Sequence, residues 1–344
     1  MKFLRVLCQI LLGLHLVMTG LPKLADPVGT SLLIQEYLGM IHGSWLNPAA
    51  DFMAMFYGLV ETLLGIAVLS GLRYRLTALA AVIFTSLTTL LTLVLVIRGS
   101  GTVSSLIAHF SFILMAICML SQHRKVEPMA AAPVEWTLLG VYAAVLLVFS
   151  ISAYNSLPRI DYTPFKAGTD FQRANDGEGR VSLVFQADST EGRAVADEGP
   201  LVVSVVWNPL KMDAAGWQEI MLLRERVDRI GVPFRLFATH EGVPEELSDA
   251  LLTGQESDLR ALMRSNGGGV YFYDGGIICK WAAGKMLDGR LEETLGRDPD
   301  EALVEFMAAE KTYARVFVAI LLISILLMRY ICRFNSRKNA RSAA

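Results

Sequence analysis

Six stretches of this 344-residue chain are long and apolar enough to cross a bilayer, and no other feature restricts its folding as strongly. About 30 Å of hydrocarbon takes about 20 helical residues, because a helix satisfies its own backbone N–H and C=O groups where water is absent. The stretches run from Phe3 to Leu21, Phe52 to Leu69, Leu76 to Ile97, Val103 to Leu120, Trp136 to Tyr154 and Tyr313 to Cys332. The chain is 53% hydrophobic and 19% charged, too little charge for an ordinary cytosolic enzyme. Lys2 and Arg5 give the first stretch the look of a signal peptide. Thr19-Gly20-Leu21-Pro22-Lys23 is a poor cleavage site and more spans follow, so it reads as a helix. The last has an uninterrupted core only from Val316 to Met328, so Arg315 and Arg329 must reach outward to the head groups.

The formal net charge of −2 hides a split. Residues 155–313 carry 17 basic and 27 acidic side chains, and the remainder carries 14 and 6. A net-acidic soluble part is unsuited to nucleic acid. Basic residues resist translocation, and a cytoplasmic N-terminus puts eleven Lys and Arg inside, leaving only Lys23 and Arg98 in short outside connections. The expected site is therefore a bacterial inner membrane, with both termini cytoplasmic and residues 155–312 extracytoplasmic. Four cysteines, Cys8, Cys118, Cys279 and Cys332, have no CxxC spacing, which excludes a zinc ribbon, a thioredoxin-type dithiol and a disulfide-framed scaffold.

The soluble part opens with an extended linker, Asn155 to Gly179. Strands are predicted at Val181 to Gln186, Leu201 to Trp207 and Pro233 to Ala238, with an amphipathic helix from Asp213 to Ile230 between the last two. Strand, helix, strand of this size predicts a parallel βαβ unit. Two short helical stretches follow, Pro244 to Leu252 and Ser257 to Arg264, then apolar runs around Asp274-Gly275 that predict a hairpin. Asp298-Pro299-Asp300-Glu301 is a helix start, with a cap, Pro at the first helical position and acids in the first turn, and this helix can continue into the sixth span. A βαβ half, a hairpin half and a closing helix give the order of a thioredoxin-like fold.

Gly13, Gly20, Lys23, Asp26 and Pro27, with Gly58, Glu61, Gly65 and Gly71, make the first four spans resemble the DoxX family, a four-helix membrane module. Asp161-Tyr-Thr-Pro164-Phe-Lys166-Ala-Gly168 and Leu262-Met263-Arg264-Ser265-Asn266 resemble DoxX-like proteins fused to an external thioredoxin-like domain. The resemblance implies a redox-associated setting, since some relatives act near quinones. Several carry paired cysteines between the third and fourth helices, but here that connection reads Arg98-Gly-Ser-Gly-Thr-Val-Ser-Ser105. A catalytic thioredoxin also needs two thiols at a helix start, where this chain has Trp207-Asn208-Pro209-Leu210-Lys211-Met212. Asn266-Gly267-Gly268-Gly269 stands where thioredoxins keep a cis-proline. The external domain therefore reads as a binding or structural module.

Glu61 lies mid-span on one helical face with Gly58 and Gly65, and so points to a close helix contact. An intramembrane carboxyl is a functional candidate. The competing reading is a protonated acid hydrogen-bonded across the bundle, with Thr85, Thr88, Thr89 and Thr92 of the third span as partners. His15 and His109 could bind a cofactor or relay protons, but interhelical hydrogen bonds, His15 with Thr19 or His109 with Ser105, are preferred. No third ligand is placed, so no metal site is expected. Lys23 and Asp26 are expected to anchor a helix end at the interface, and Cys279 to be a buried strand residue.

The expected fold class is a membrane all-α helical bundle of six transmembrane helices, the first four DoxX-like, plus an inserted α/β thioredoxin-like domain. The expected segments are 1–125 for the DoxX-like domain, 126–154 for the fifth span, 155–179 for the linker, 180–311 for the thioredoxin-like domain, and 312–344 for the sixth span and basic tail. The first functional reading is an accessory, non-catalytic protein embedded in the lipid bilayer that binds an extracytoplasmic or membrane protein partner, through Asn208, Pro209, Leu210, Lys211 and Met212. The second is a redox-associated component holding a quinone-like ligand near Glu61, with His15 and His109 as further contacts. The third is a proton-coupled carrier.

Overall fold

The structure, a computed structural model, describes residues 2–99, 101–122, 130–155, 160–161, 165–169, 199–239, 241–288 and 290–342. The strand expected at Val181 to Gln186 and most of the linker lie outside the described residues. The helices are α1 (Lys2–Ala25), α2 (Pro27–Met40), α3 (Ala50–Ser70), α4 (Tyr74–Ile97), α5 (Val103–Ser121), α6 (Ala132–Asn155), α7 (Ala214–Arg229), α8 (Glu256–Leu262), α9 (Leu291–Leu295) and α10 (Pro299–Ser342). The strands are β1 (Pro200–Val206), β2 (Phe234–Ala238), β3 (Leu251–Thr253), β4 (Gly268–Tyr273) and β5 (Gly276–Trp281). Among the described residues six helices are long and apolar enough to cross a membrane, within Phe3–Ala25, Ser44–Ser70, Tyr74–Ile97, Val103–Ser121, Ala132–Tyr154 and Pro299–Cys332. The chain is a membrane protein with a largely helical membrane region and a small mixed sheet.

The chain forms two compact units. The first comprises Met1–Leu24, Met53–Phe149 and Val316–Ala344. Its α1 and α3 touch backbone to backbone. A Cβ on Gly20 would sit 2.8 Å from the Thr62 nitrogen, and one on Gly65 would sit 2.7 Å from the Val17 nitrogen. Small residues at these crossings let helices approach where water supplies no driving force between them. Leu12, Leu16, Val68, Ala78, Ala81 and Ala116 are buried around this seam, while Leu87, Leu90 and Leu114 stay exposed, as lipid-facing positions require.

The second unit comprises Ala25–Phe52 and Ser150–Arg315. Its five strands run in the order β3-β2-β1-β4-β5. β1 and β2 are parallel, as are β2 and β3, while β4 is antiparallel to both β1 and β5. The expected βαβ unit and hairpin are both present. Asp274 and Gly275 have φ of 46° and 77°, the left-handed pair that a two-residue hairpin turn demands. Side chains alternate across the sheet. Val202, Leu236 and Tyr271 face Ile220, Leu223 and Val227 of α7, and Val203, Val205, Phe237 and Phe272 face Leu259 and Leu262 of α8 together with Phe165. The helix expected over Pro244 to Leu252 is a 3-10 helix, Glu245–Ala250, running straight into β3.

Residues 25–52, read from sequence as a connection inside the DoxX-like part, fall in this second unit. Asp26 caps α2, its carboxylate accepting from the Gly29 N–H at 3.0 Å, with Pro27 at the first helical position.

Candidate functional site

Two polar clusters stand out, one in each unit. In the first, Glu61 is 4% exposed on α3 and faces α1. The Lys23 Nζ donates to its Oε2 at 2.6 Å and the Thr19 hydroxyl donates to Oε1 at 2.7 Å. Lys23 also donates to the Thr19 carbonyl at 2.9 Å and stands 5.0 Å from the Tyr57 ring centroid. Thr19 and Lys23 are one turn apart on α1, so one helical face presents a hydroxyl and an ammonium to a single carboxylate.

This corrects two expectations. The threonine stripe does not hold Glu61: Thr85 donates to the Ala81 carbonyl, Thr89 to Thr85 and Thr92 to Thr88. In an apolar setting a helical threonine satisfies itself one turn back, which leaves the carboxylate to a true cation. Nor is Lys23 simply an interfacial anchor, since its ammonium folds back to Glu61.

The imidazole of His15 stacks on Phe112 with centroids 3.6 Å apart, and His109 meets the same ring edge-on at 6.3 Å. Thr19 bonds the His15 carbonyl, not its ring, and no hydrogen bond joins His109 to Ser105 among the described residues. The hydrogen bonds expected of the two histidines are thus replaced by contacts to one aromatic ring. Among the described residues no group of three His, Cys, Asp or Glu is arranged to hold a metal.

The second cluster lies where β1 ends. Asn208 and Asn266 bond reciprocally: the Asn208 N–H donates to the Asn266 Oδ1 at 3.0 Å, and the Asn266 amide donates to the Asn208 carbonyl at 2.8 Å. The loop after β1 is thereby joined to the loop before β4. Trp207 donates its indole N–H to the Arg264 carbonyl at 3.2 Å, and the Arg260 guanidinium covers the indole at 4.9 Å. Arg264 in turn grips Asp26 through two bonds of 3.0 Å, with both side chains at most 3% exposed. Asp26 is therefore a helix cap and a buried counter-ion, not an interfacial anchor. Arg260 donates to Asp51 at 3.3 Å, and the Tyr154 hydroxyl bonds the same carboxylate at 2.8 Å.

The five residues singled out from sequence have different fates. Pro209 is buried and Met212 half-buried, whereas Lys211 is exposed and Leu210 is 77% exposed. Trp207, Asn208, Pro209 and Leu210 line a cleft of about 250 Å³ whose other wall carries Thr239, Glu241 and Glu256. Cys279, 2% exposed on β5, has its thiol pushed up from its ordinary value by burial, and cross-strand Tyr271 is pushed up to about 12 for the same reason. Lys280 is also buried and donates to Asp161 and to the Leu262 carbonyl, both at 2.7 Å. Burial pulls its ammonium down, and the Asp161 carboxylate works against that shift.

Sequence reasoning missed Lys23 as the partner of Glu61, and Arg264 and Arg260 as the partners of Asp26 and Asp51. A signal existed for α2 alone, because Asp26-Pro27 repeats the Asp-Pro helix start recognised at Asp298-Pro299.

Residues 4–94 match the model of the DoxX family. The match covers α1 to most of α4, three of the four spans expected to carry the resemblance. No curated protein and no solved structure matches the chain.

Proposed function

We propose that this chain is an inner-membrane protein whose second unit is a thioredoxin-like module without thiol chemistry, used to bind a protein partner outside the cytoplasm. The sheet order supports that reading: β1, α7 and β2 form the parallel half, β4 and β5 the antiparallel half, and α10 follows, with β3 added at one edge. The positive-inside bias of the short connections supports the orientation. One observation carries the function. The loop after β1, where a redox member of the fold presents two thiols, has none, and instead holds Leu210 exposed beside a cleft edged by Glu241 and Glu256. Such a surface suits an apolar side chain next to a basic one. Cys279 is the only thiol between residues 155 and 312, and one buried thiol cannot cycle between dithiol and disulfide.

The test uses the full-length protein in a strain that depends on it. Leu210→Asp should abolish function at an unchanged membrane level, and the purified protein should leave insulin disulfides unreduced. Full activity of Leu210→Asp, or disulfide turnover that vanishes with Cys279→Ser, would contradict the reading.

The polar groups at the α1–α3 seam favour a second reading, a redox-associated component with a quinone-like ligand near Glu61. Lys23 and Thr19 already occupy both carboxylate oxygens, so the ligand would have to meet His15 and His109. An optical spectrum and extraction of bound lipid from the purified protein separate the two readings.

A further inference from the structure

At one end of the first unit two arginines stand over aromatic rings. The Arg5 guanidinium on α1 lies 6.0 Å from the Tyr74 ring centroid, and that of Arg73 lies 5.6 Å from the Trp136 ring centroid on α6. Arg73 and Tyr74 are consecutive: Tyr74 opens α4, and Arg73, at φ 44°, is its cap residue without a capping side-chain bond. Among the described residues neither guanidinium makes an ion pair or a hydrogen bond. The Nε of each is buried without a partner, and so is the Tyr74 hydroxyl, on a residue only 8% exposed. The terminal nitrogens of both arginines are not buried. A carboxylate does stand nearby, that of Glu135, but it is turned to the backbone, accepting from the Arg73 N–H at 3.2 Å and the Ala130 N–H at 3.3 Å. Leu4, next to Arg5, and Leu76, two residues after Tyr74, are 53% and 44% exposed. Buried donors left unbonded are costly, so three of them at one rim call for an acceptor.

We propose that Arg5, Arg73 and Tyr74 bind the phosphate of an anionic glycerophospholipid whose acyl chains lie along the exposed leucines. Neither the family match nor the proposed partner-binding role assigns this site. An aromatic ring beside a guanidinium takes up its face and leaves the N–H edge free, and that edge matches two phosphate oxygens at once. Arg5 is only half-buried. Its side chain can follow the phosphate outward, and this uncovers the Tyr74 hydroxyl as a further donor. The unbonded N–H groups that open α4 add positive potential at the same rim. Position selects a lipid over a soluble anion. The three residues stand at the ends of spans that are apolar enough to cross the bilayer, the level at which head groups lie, and Leu4 and Leu76 need hydrocarbon beside them. Charge selects the head group. Choline would bring a cation among the arginines, whereas a head group of net negative charge is attracted to them.

The experiment offers the purified full-length protein in detergent equal amounts of phosphatidylglycerol and phosphatidylcholine with the same acyl chains, and counts retained lipid by native mass spectrometry. Phosphatidylglycerol should be retained about tenfold over phosphatidylcholine, and Arg5→Gln should cut that preference about fivefold. Arg98→Gln, an exposed cation at the far end of α4, should leave it unchanged. Tyr74→Phe keeps the ring beside Arg5 and removes only the hydroxyl. It should lower phosphatidylglycerol retention severalfold, while the lipid-free variant melts no lower than wild type, because the lost hydroxyl bonds nothing in the free bundle. If Arg5→Gln fails to accumulate, Tyr74→Phe against the Arg98→Gln control decides the matter. Equal retention of the two lipids, equal losses from Arg5→Gln and Arg98→Gln, a Tyr74→Phe variant that keeps its lipid or melts lower without it, or displacement of the lipid by inorganic phosphate would each overturn the proposal.

Discussion

Lys23 and Glu61 form a pair in which every strong polar atom is engaged, and this determines how substitutions there behave. Glu61→Gln leaves the ammonium without its counter-charge at a site only 23% exposed on the lysine side. Breaking one partner of a fully buried pair costs about 3–5 kcal/mol, a loss that the partly exposed lysine reduces here, whereas replacing both with apolar residues is often neutral. The double variant Lys23→Met with Glu61→Leu should therefore unfold at a higher temperature than either single variant in thermal scans of the purified protein. Additive losses would show the two groups to be independent. Cys279 makes a second residue-scale prediction. Burial keeps its proton on when the unfolded thiol, with an ordinary value near 9, has lost it. The folded state then binds more protons, so stability falls as pH rises past about 9, by about 1.4 kcal/mol per unit. Tyr271 acts in the same direction between 10 and about 12, while Lys280, with its ammonium pulled down, acts in the opposite one. Cys279→Ala should flatten the alkaline loss in pulse proteolysis of the full chain, and an unchanged slope would refute the assignment.

At the scale of elements, the Asp26–Arg264 fork decides whether α2 stays packed with α8 and the sheet. Asp26→Ala removes a cap worth about 1 kcal/mol and leaves a guanidinium buried without charge compensation, a loss of about 3–5 kcal/mol. Arg224 and Asp249 also form a charged pair, but with 29% and 64% of their side chains exposed, and Arg224→Ala should cost under about 1 kcal/mol. Limited proteolysis of the two variants should show the second unit opened in the first and intact in the second; equal resistance would contradict the ranking. Local signals were readable: the six apolar runs, the alternation in β1 and β2, the Asp274-Gly275 turn and the Asp298-Pro299 start each depend on neighbours within one turn or strand. β3 was missed because three residues give too short a pattern to separate a strand from the end of a 3-10 helix. The partners of Glu61, Asp26 and Asp51 were not readable, because they lie 38 or more residues away and no local pattern encodes a pairing of that range.

For the whole molecule, residues 25–52 belong with the sheet unit, so the connection after the first span is part of that unit's fold and not a spare loop. Arg260 and Arg264 tie it, through Asp51 and Asp26, to the side chain and carbonyl that hold Trp207. The backbone beneath Leu210 is thus braced from two directions, by these cations and by the Asn208–Asn266 pair. A braced loop carrying an exposed apolar tip is what a docking surface requires, because little conformational freedom is left to lose on binding. Under the proposed function this loop, and not the general apolar surface of the unit, meets the partner. Photo-crosslinking in native membranes tests it most directly, with a photoreactive phenylalanine analogue placed at Leu210 or, as a control, at Ile230, which is 48% exposed at the end of α7. The prediction is one defined protein adduct at Leu210, lost when Glu241 and Glu256 are both changed to Lys, and none at Ile230. Equal adducts at both positions, or an adduct at Leu210 indifferent to the two charge reversals, would contradict it.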